Sequence, residues 1–435
     1  MLRFALALIF VLQFLSLSCQ DIEYARKVIR TLSSPELKGR GFTGNGHQIA
    51  ARYIGKQFLA TGLESFKSGS DNARNINKLY FQPFEIRVNS FPSKMTVEID
   101  AKKLIAGSEF LVHPSSSPGK GKYSLYLVKK MELANNGALQ KITKESVGKI
   151  IVIDARNFAT DNKEVLQKAD EAIEIIEFSS QLQSAGTIIL TDEKLTWSIS
   201  TDRAVKPIVI INSSKIGTNP LEARINVKAE YSVHTTNNVI GYIPGKQTPD
   251  SFILIIAHYD HLGTMGKDAY FPGANDNASG VAMLLSLASH FKLNPHKYSM
   301  VFMALAAEET GLNGARYFIS NPVIDLKRIA FLINFDLAGT GDEGIKVVNG
   351  TVYPEQFGLL KKINNERGYL KDVQVRGPAC NSDHCIFHEK GIPCFYIYTL
   401  GGIKAYHDIF DRFETLPLTE FSDYMKLMIE FLQNI

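Results

Sequence analysis

The stretch Phe252–Gly280, FILIIAHYDHLGTMGKDAYFPGANDNASG, joins an apolar run, a glycine-containing loop and the start of an amphipathic segment. Its first six residues are rich in β-branched side chains and predict a short buried strand that ends at His258. The loop then reaches Asp276, and helical spacing follows from Val281 to Phe291. In open α/β sheets, ligands bind beyond the carboxyl ends of the strands. A histidine and an aspartate at that place suit a zinc ion, which binds imidazole nitrogen and carboxylate oxygen.

The bulk composition indicates an ordinary globular protein. The chain has 435 residues, of which 45% are hydrophobic and 21% are charged, and this length allows two or three domains. The formal net charge of +4 is small and no Lys/Arg-rich run stands out. We therefore expect no nucleic-acid partner.

The N-terminus has the pattern of a secretory signal peptide over residues 1–19. Arg3 precedes a nearly unbroken apolar run, Phe4–Leu17, and small residues precede Cys19. The run is shorter than the ~20 residues that a membrane-spanning helix needs. We therefore expect an exported protein that is periplasmic, cell-surface or secreted. A lipid on Cys19 is the only membrane attachment that the sequence suggests.

The remaining cysteines lie close together near the C-terminus. In an oxidising compartment, Cys380 and Cys385 can close a small loop and leave Cys394 unpaired. The alternative is that all three are buried thiols.

Residues 20–88 predict the N-terminal part of the catalytic domain, with two amphipathic helices and a strand. The strand, Leu79–Val88, contains Pro83, which confines it to the edge of a sheet. Arg40 lies among glycines and is interpreted as a solvated loop residue.

Residues 89–233 predict an inserted β-rich domain, because short strands dominate and only Glu164–Ser184 has helical spacing. The segment is poor in histidine and contains no metal-like cluster. Val147–Asp154, VGKIIVID, resembles the opening strand of the protease-associated domain, a small β-rich insert of several exported peptidases. A β-rich domain of another kind is the alternative.

Residues 234–435 alternate between strands and helices, which predicts an α/β fold with a mostly parallel twisted sheet and helices on both faces. Three later strands of this region end at further acidic or histidine residues. If the strands are parallel, all these side chains meet at one sheet edge. The set is His258, Asp276, Glu308, Glu309, Asp336 and His407.

Five of these residues can form a two-metal site, which needs a bridging carboxylate and further nitrogen or oxygen ligands on each side. Each residue also has an ordinary structural explanation. A strand-end histidine can be a satisfied polar group, paired glutamates can start a solvated helix, and an aspartate between asparagines can cap a helix. Their common placement near strand ends of one α/β region favours the metal site.

Six motifs resemble the signature of the zinc aminopeptidase family that includes bacterial leucyl aminopeptidase and aminopeptidase Y. They are AHYDH, PGANDNASG, AEETGLNGA, INFDLAG, SDHCIF and AYHDIFD, and they extend over roughly residues 236–412. The resemblance implies a zinc exopeptidase-like fold with two zinc ions per chain. It implies that His258 and Asp336 hold one ion, that Glu309 and His407 hold the other, and that Asp276 bridges them.

The resemblance also implies roles for residues that do not bind metal. Glu308 matches the general base, and Asp260 matches the acid that orients the ligating imidazole. The peptide after the bridging aspartate is cis in this family, which predicts a cis Asp276–Asn277 bond.

One region departs from the family pattern. Secreted bacterial members have Cys-Gly-Tyr-Ala-Cys before Ser-Asp-His, whereas this chain has Gly-Pro-Ala-Cys-Asn. The oxyanion tyrosine and the small disulfide of those members are therefore not carried over. Tyr398 and Tyr406 are alternative oxyanion donors. Asp383 and His384 are expected near the site without a metal role.

These observations predict an exported di-zinc metallo-aminopeptidase that acts on peptides. A carboxypeptidase of the glutamate carboxypeptidase kind is an alternative on the same fold. A glutaminyl cyclase is another, although the single tryptophan, Trp197, lies in the insert. A catalytically dead binding module would have lost a metal ligand, and none is lost here. The sequence makes no prediction of oligomeric state.

Overall fold

The computed structural model describes residues 22–67, 75–156, 158, 160 and 162–435. The predicted signal peptide and its Cys19 lie outside the described residues. Within this described part, no helix combines the length and apolar character needed to traverse a bilayer.

The secondary structure alternates along the chain. In chain order, the strands are β1 (Phe81–Ser90), β2 (Thr96–Ile99), β3 (Lys102–Lys103), β4 (Phe110–Val112), β5 (Gly119–Lys129), β6 (Ile150–Asp154), β7 (Gly186–Thr191), β8 (Ile208–Asn212), β9 (Glu222–Val227), β10 (Glu230–Ile243), β11 (Thr248–His258), β12 (Gly263–Met265), β13 (Ala269–Phe271), β14 (Tyr298–Leu305), β15 (Ile329–Asp336), β16 (Ile345–Val348), β17 (Val373–Val375) and β18 (Cys394–Thr399). The α-helices are α1 (22–32), α2 (Gly46–Thr61), α3 (Ile76–Tyr80), α4 (Ala138–Glu145), α5 (Lys163–Phe178), α6 (Gly280–Leu293), α7 (Asn313–Ser320), α8 (Pro354–Arg367), α9 (His384–His388) and α10 (Phe421–Asn434).

The larger sheet has the strand order β1-β10-β14-β11-β15-β18-β16-β17. Its central strands β14, β11, β15 and β18 are parallel to one another. The pairs β1–β10, β10–β14 and β16–β18 are antiparallel. The predicted α/β fold is confirmed, and the parallel pairing is concentrated at the centre of the sheet.

Both faces of this sheet are covered by helices because β11 is apolar on both sides. Ile253 and Ile255 pack into a core that includes α2, α6 and α10, whereas Leu254 and Ile256 pack into a second core that includes α7 and α9. A strand buried on both faces is a nearly continuous apolar run, as is typical of parallel sheets.

The edge position predicted for Pro83 is confirmed. Strand β1 forms one edge of the larger sheet, where Pro83 pairs with Asn237 of β10. A proline cannot donate a hydrogen bond to a further strand, so this place in the sheet fits its chemistry.

A second sheet is formed entirely within residues 96–227, in the order β3-β2-β9-β5-β6-β7-β8-β4. Strands β5 to β8 are successively parallel, and α5 packs beside them. The predicted helix over Glu164–Ser184 ends at Phe178 because Ser179 already has an extended backbone. The β-rich character is confirmed, whereas the likeness to a protease-associated domain stays a prediction.

The buried Glu177 of α5 is expected to make the stability of the inserted β-rich domain depend on pH. Burial, with a smaller effect of Glu174, raises the pKa of Glu177 to about 7. The pKa of Glu177 is higher in the folded protein than its usual value of 4.5. The stabilisation that Glu177 contributes is therefore fully present below about pH 4.5 and is lost as the pH rises through 7. We expect Glu177→Gln to increase the free energy of unfolding at pH 8 by roughly 2–3 kcal/mol. Thermal unfolding at pH 5 and pH 8 measures this, with the exposed Glu171→Gln as control, and equal pH dependence in all three proteins would contradict it.

Candidate metal centre

The predicted ligands meet at one edge of the larger sheet, as the parallel strands require. β11 ends at His258 and β15 ends at Asp336, whereas Glu309 follows β14 and His407 follows β18. Asp276 comes from the loop before α6. The backbone φ angles of Ala307, Leu337 and His407 are 60°, 48° and 52°. This left-handed conformation is uncommon outside glycine, and such residues often cluster at functional sites.

His258 lies between two carboxylates. Its Nε2 is 3.4 Å from Asp276 Oδ1 and 3.6 Å from Asp336 Oδ1. All three side chains are buried. The arrangement is that of three ligands facing one shared point.

His407 forms the matching group on the other side of Asp276. Its Nε2 is 3.1 Å from Asp276 Oδ2 and 3.3 Å from Glu309 Oε2. The two oxygens of Asp276 therefore face different histidines. A carboxylate in this position can bridge two cations.

These residues fit metal ions by distance and by charge. Ligands about 2.1 Å from one tetrahedral zinc ion lie roughly 3.4 Å from each other, as these atoms do. His258, Asp276 and Glu309 offer ligand atoms that all lie within 4.8 Å of one another. Among the described residues, the buried Oδ1 of Asp336 has no hydrogen-bond donor. Buried charges are costly unless they are paired or bind a metal, so cations would satisfy this cluster.

Asp260 and Glu308 lie directly beside the ligands. Asp260 accepts hydrogen bonds from the backbone N–H of Glu308 at 3.2 Å and of Glu309 at 3.4 Å. Its Oδ1 is also 3.8 Å from Nδ1 of His258. Burial, reinforced by Glu309 and further acidic neighbours, raises the pKa of Glu308 well above its usual value. A carboxylate with a raised pKa is suited to accept and return a proton near neutral pH.

His261 is a site residue that the sequence analysis missed. Its Nδ1 is 2.8 Å from Glu309 Oε1, and the imidazole is fully buried. This contact with His261 fixes the direction of the Glu309 carboxylate. The signal was present in the AHYDH motif, where His261 follows His258 and Asp260.

Hydrogen bonds hold the loop that contains Asp276. The carboxylate of Asp411 accepts from the backbone N–H of Asn275 at 2.8 Å and of Asp276 at 2.9 Å. Asn277 donates through Nδ2 to the carbonyl of Phe335 at 2.9 Å. The predicted cis Asp276–Asn277 bond is confirmed.

Arg40 is not a solvated loop residue, and that interpretation is wrong. The side chain is fully buried, and its N–H groups donate to five backbone carbonyls at 2.7–3.0 Å. The acceptors are Leu32, Tyr259, Pro272, Gly273 and Asp276. Burial lowers the pKa of Arg40 to about 10, whereas Asp276 and other carboxylates act in the opposite direction, so it stays cationic at neutral pH. Arg40 therefore ties the end of β11 to the loop that delivers Asp276.

The cysteines at the start of α9 decide between the two alternatives that the sequence left open. Cys380 and Cys385 form a disulfide with a Cα–Cα distance of 4.9 Å, and Cys394 is a buried free thiol. The pairing of Cys380 with Cys385 that leaves Cys394 over is therefore confirmed, and its spacing differs from that of the family motif. The separation of the two Cα atoms lies within the usual range for disulfides.

Asp383 and His384 lie beside the metal ligands, as expected, but outside the cluster itself. The Asp383 carboxylate is fully buried, and burial raises its pKa to about 8. The ring of His384 stacks on Tyr396 at 4.8 Å, and the Tyr396 hydroxyl donates to Asp336 Oδ2 at 3.3 Å. These side chains support the position of Asp336 from behind.

A cavity of about 360 Å³ opens onto the cluster. Tyr398 and Tyr406, the two candidate oxyanion donors, both line it. The ring of Tyr406 also stacks on His407 at 4.0 Å. The site is therefore accessible to a small ligand on the side where the candidate base Glu308 lies.

The loop between β7 and β8 of the insert supports the segment that contains His407. The backbone N–H of Trp197 donates to the carbonyl of His407 at 2.8 Å. Lys194 Nζ is 2.5 Å from Asp408 Oδ2 and donates to the carbonyl of Lys404 at 2.8 Å. The insert thus contributes directly to the position of a candidate metal ligand.

We expect Lys194→Met to lower zinc affinity by about 10- to 100-fold, because residues that hold a ligand in place have effects of this size. Competition with a chromogenic chelator measures the affinity. Lys404→Met is the matched control, because Lys404 interacts with Lys194 only through its carbonyl. Equal zinc affinity in the wild type and in Lys194→Met would show that the contact does not position His407.

Comparisons with known proteins agree with this arrangement. The model of peptidase family M28 matches residues 238–432. Aminopeptidase YwaD of Bacillus subtilis is 28% identical over 232 residues, which is 49% of this chain and 48% of that protein. The chain thus spans about half the length of this relative. Leupeptin-inactivating enzyme 1 of Streptomyces exfoliatus is 32% identical over 163 residues, which is 37% of this chain and 35% of that protein.

A solved structure shares the fold over nearly the whole chain. BSAP, a zinc aminopeptidase from Bacillus subtilis, matches with a TM-score of 0.66 and 20% identity, over 95% of this chain and 94% of that one. At this identity the likeness shows the fold, whereas the match to the family model is confined to residues 238–432. The similarity of this chain to peptidase family M28 therefore extends over residues 238–432, which is slightly less than half of its length.

Proposed function

We propose that this chain is an exported di-zinc metallo-aminopeptidase that removes N-terminal residues from peptides. The observation that supports it most directly is that the two oxygens of Asp276 face different histidines, at 3.4 Å and 3.1 Å. The family match and the aminopeptidase named among the relatives support the reaction class.

The ligands divide into two groups around the bridging Asp276. His258 and Asp336 would hold one zinc ion, and Glu309 and His407 would hold the other. Bound zinc polarises a carbonyl and lowers the pKa of water to near 7. Asp260 and His261 keep the ligand side chains in their orientations.

Glu308 moves the proton in this proposal. It accepts a proton from the attacking water and later gives it to the leaving amine, so no covalent intermediate is needed. Tyr398 or Tyr406 would donate a hydrogen bond to the oxygen that gains charge in the transition state. Both hydroxyls belong to residues that line the cavity.

Metal removal and reconstitution test the proposal. We expect a chelator to abolish hydrolysis of aminoacyl p-nitroanilides, and two zinc equivalents per chain to restore it. Metal analysis of the restored protein gives the stoichiometry. Protein with both zinc ions bound but no hydrolysis of any aminoacyl anilide or dipeptide would contradict the proposal.

Export and membrane attachment are tested separately. We expect the full chain to be found outside the cytoplasm of a bacterial host, and Cys19→Ala to release any membrane-bound fraction. Fractionation followed by immunoblotting measures both. A wild-type protein that stays cytoplasmic would contradict export.

A further inference from the structure

Arg376 is a cation in the wall of the cavity that the proposed reaction does not use. It follows β17, and its backbone N–H donates to the carbonyl of Val347 at 2.8 Å. Its Nη1 donates to the hydroxyl of Tyr398 at 3.3 Å. Among the described residues, no carboxylate lies within ion-pair distance of the guanidinium, and no other lysine or arginine lines the cavity.

Arg376 lies close to the metal ligands. The ring of Tyr398 is 5.4 Å from the ring of Tyr396, and Tyr396 contacts Asp336. Two tyrosine rings therefore separate the guanidinium from a candidate zinc ligand. A peptide bound at the centre would occupy the cavity that Arg376 and the candidate ligands both line.

The cavity wall is poorly suited to an aliphatic side chain. Among the described residues that line it, Leu337 is the only aliphatic one, and the others are acidic, basic, amide or aromatic. Pockets that select apolar groups are lined mainly by apolar side chains. The lining near Arg376 instead includes the amide of Asn381 and the hydroxyl of Tyr398.

The charge balance also favours an anion. Asp276, Glu308, Glu309 and Asp336 are the carboxylates that line the cavity. Two zinc ions would offset the charge of these carboxylates, and among the described residues no carboxylate forms an ion pair with Arg376. Arginine binds carboxylates with paired, charge-assisted hydrogen bonds.

We propose that Arg376 is a specificity-determining residue that binds a carboxylate of the peptide substrate, an inference that rests on the proposed aminopeptidase function. The carboxylate comes from an acidic N-terminal side chain or from the C-terminus of a dipeptide. Both sources present the same group to the guanidinium. The Tyr398 hydroxyl accepts one hydrogen bond from the Arg376 guanidinium and holds it in place. The remaining N–H groups of Arg376 bind the carboxylate.

Steady-state kinetics with four substrates test the proposal and separate the two sources. Glu-p-nitroanilide and Leu-p-nitroanilide differ in the side-chain carboxylate, and Leu-Gly and Leu-Gly-amide differ in the C-terminal carboxylate. In the pair that supplies the bound carboxylate, we expect Arg376→Met to raise KM about tenfold or more for the charged substrate. The KM of the neutral substrate of the same pair should change less than twofold. Arg376→Lys should recover part of the loss. Arg328→Met is the control, because Arg328 lies before β15, at the opposite edge of the sheet.

Binding of glutamate and of Leu-Gly is measured by calorimetry on zinc-loaded Glu308→Gln protein, with and without Arg376→Met, which keeps the test independent of turnover. If the wild type hydrolyses none of the substrates, the proposed function fails. Weaker binding of one of these ligands to Arg376→Met would still support the carboxylate site. Equal KM changes for charged and neutral substrates, or equal binding to both proteins, would overturn it.

Discussion

Replacing Glu308 with glutamine is expected to slow turnover by about 10²- to 10⁴-fold while both zinc ions remain bound. Glu308 lines the cavity beside the cluster. The carboxylates in contact with His258 and His407 belong instead to Asp276, Glu309 and Asp336. Glutamine keeps the size of the side chain and its hydrogen-bonding oxygen but cannot accept the proton. The loss should therefore fall on kcat, with little change in KM.

Metal analysis and kinetics on the same preparation separate this outcome from loss of a ligand. Glu355→Gln, an exposed substitution in the first turn of α8, is the control and should have wild-type activity. An unchanged rate in Glu308→Gln would remove Glu308 from the mechanism. Loss of a zinc ion from Glu308→Gln would instead show that Glu308 is a metal ligand.

The centre was predictable from the sequence because its ligands follow the ends of apolar strands. The end of β11 at His258, the end of β15 at Asp336 and the turn after β14 can each be located from local hydrophobic pattern alone. Parallel pairing then brings these ends to one edge of the sheet. Local pattern and topology together were sufficient for the residues that we expect to touch the metal.

The supports of the centre were not predictable in this way, because they depend on contacts between distant segments. The glycines around Arg40 suggested a solvated loop. In the structure they permit close backbone approach: a Cβ at Gly39 would lie 2.3 Å from the carbonyl oxygen of Phe271, and one at Gly41 would lie 2.4 Å from Cα of Gly263. The same limitation applies to Lys194, whose partners are more than 200 positions away in the chain.

Arg40→Met is expected to destabilise the protein by about 5 kcal/mol or more. The change removes a donor from five buried carbonyls. The Gly273 carbonyl keeps the backbone N–H of Ala278 as a donor at 3.3 Å, and each of the other four costs about 1–3 kcal/mol if it is left unsatisfied. It also removes a buried cation beside Asp276 and Asp411. Because a folded domain is stable by only about 5–15 kcal/mol, we expect this variant to fold marginally or not at all.

Arg40→Lys keeps the test informative if the methionine variant does not fold. An ammonium group retains the charge but has three donors, so at least two of the five carbonyls lose their hydrogen bond. We expect an intermediate loss of about 2–4 kcal/mol, measured by urea unfolding of the zinc-free protein, while the exposed control Arg52→Met changes stability by less than about 0.5 kcal/mol. Because the acceptors of Arg40 include residues 259 and 276, next to or within the ligand set, Arg40→Lys should also weaken zinc binding. Wild-type stability in both Arg40 variants would show that water replaces the guanidinium, and that the N-terminal segment does not hold the metal centre together.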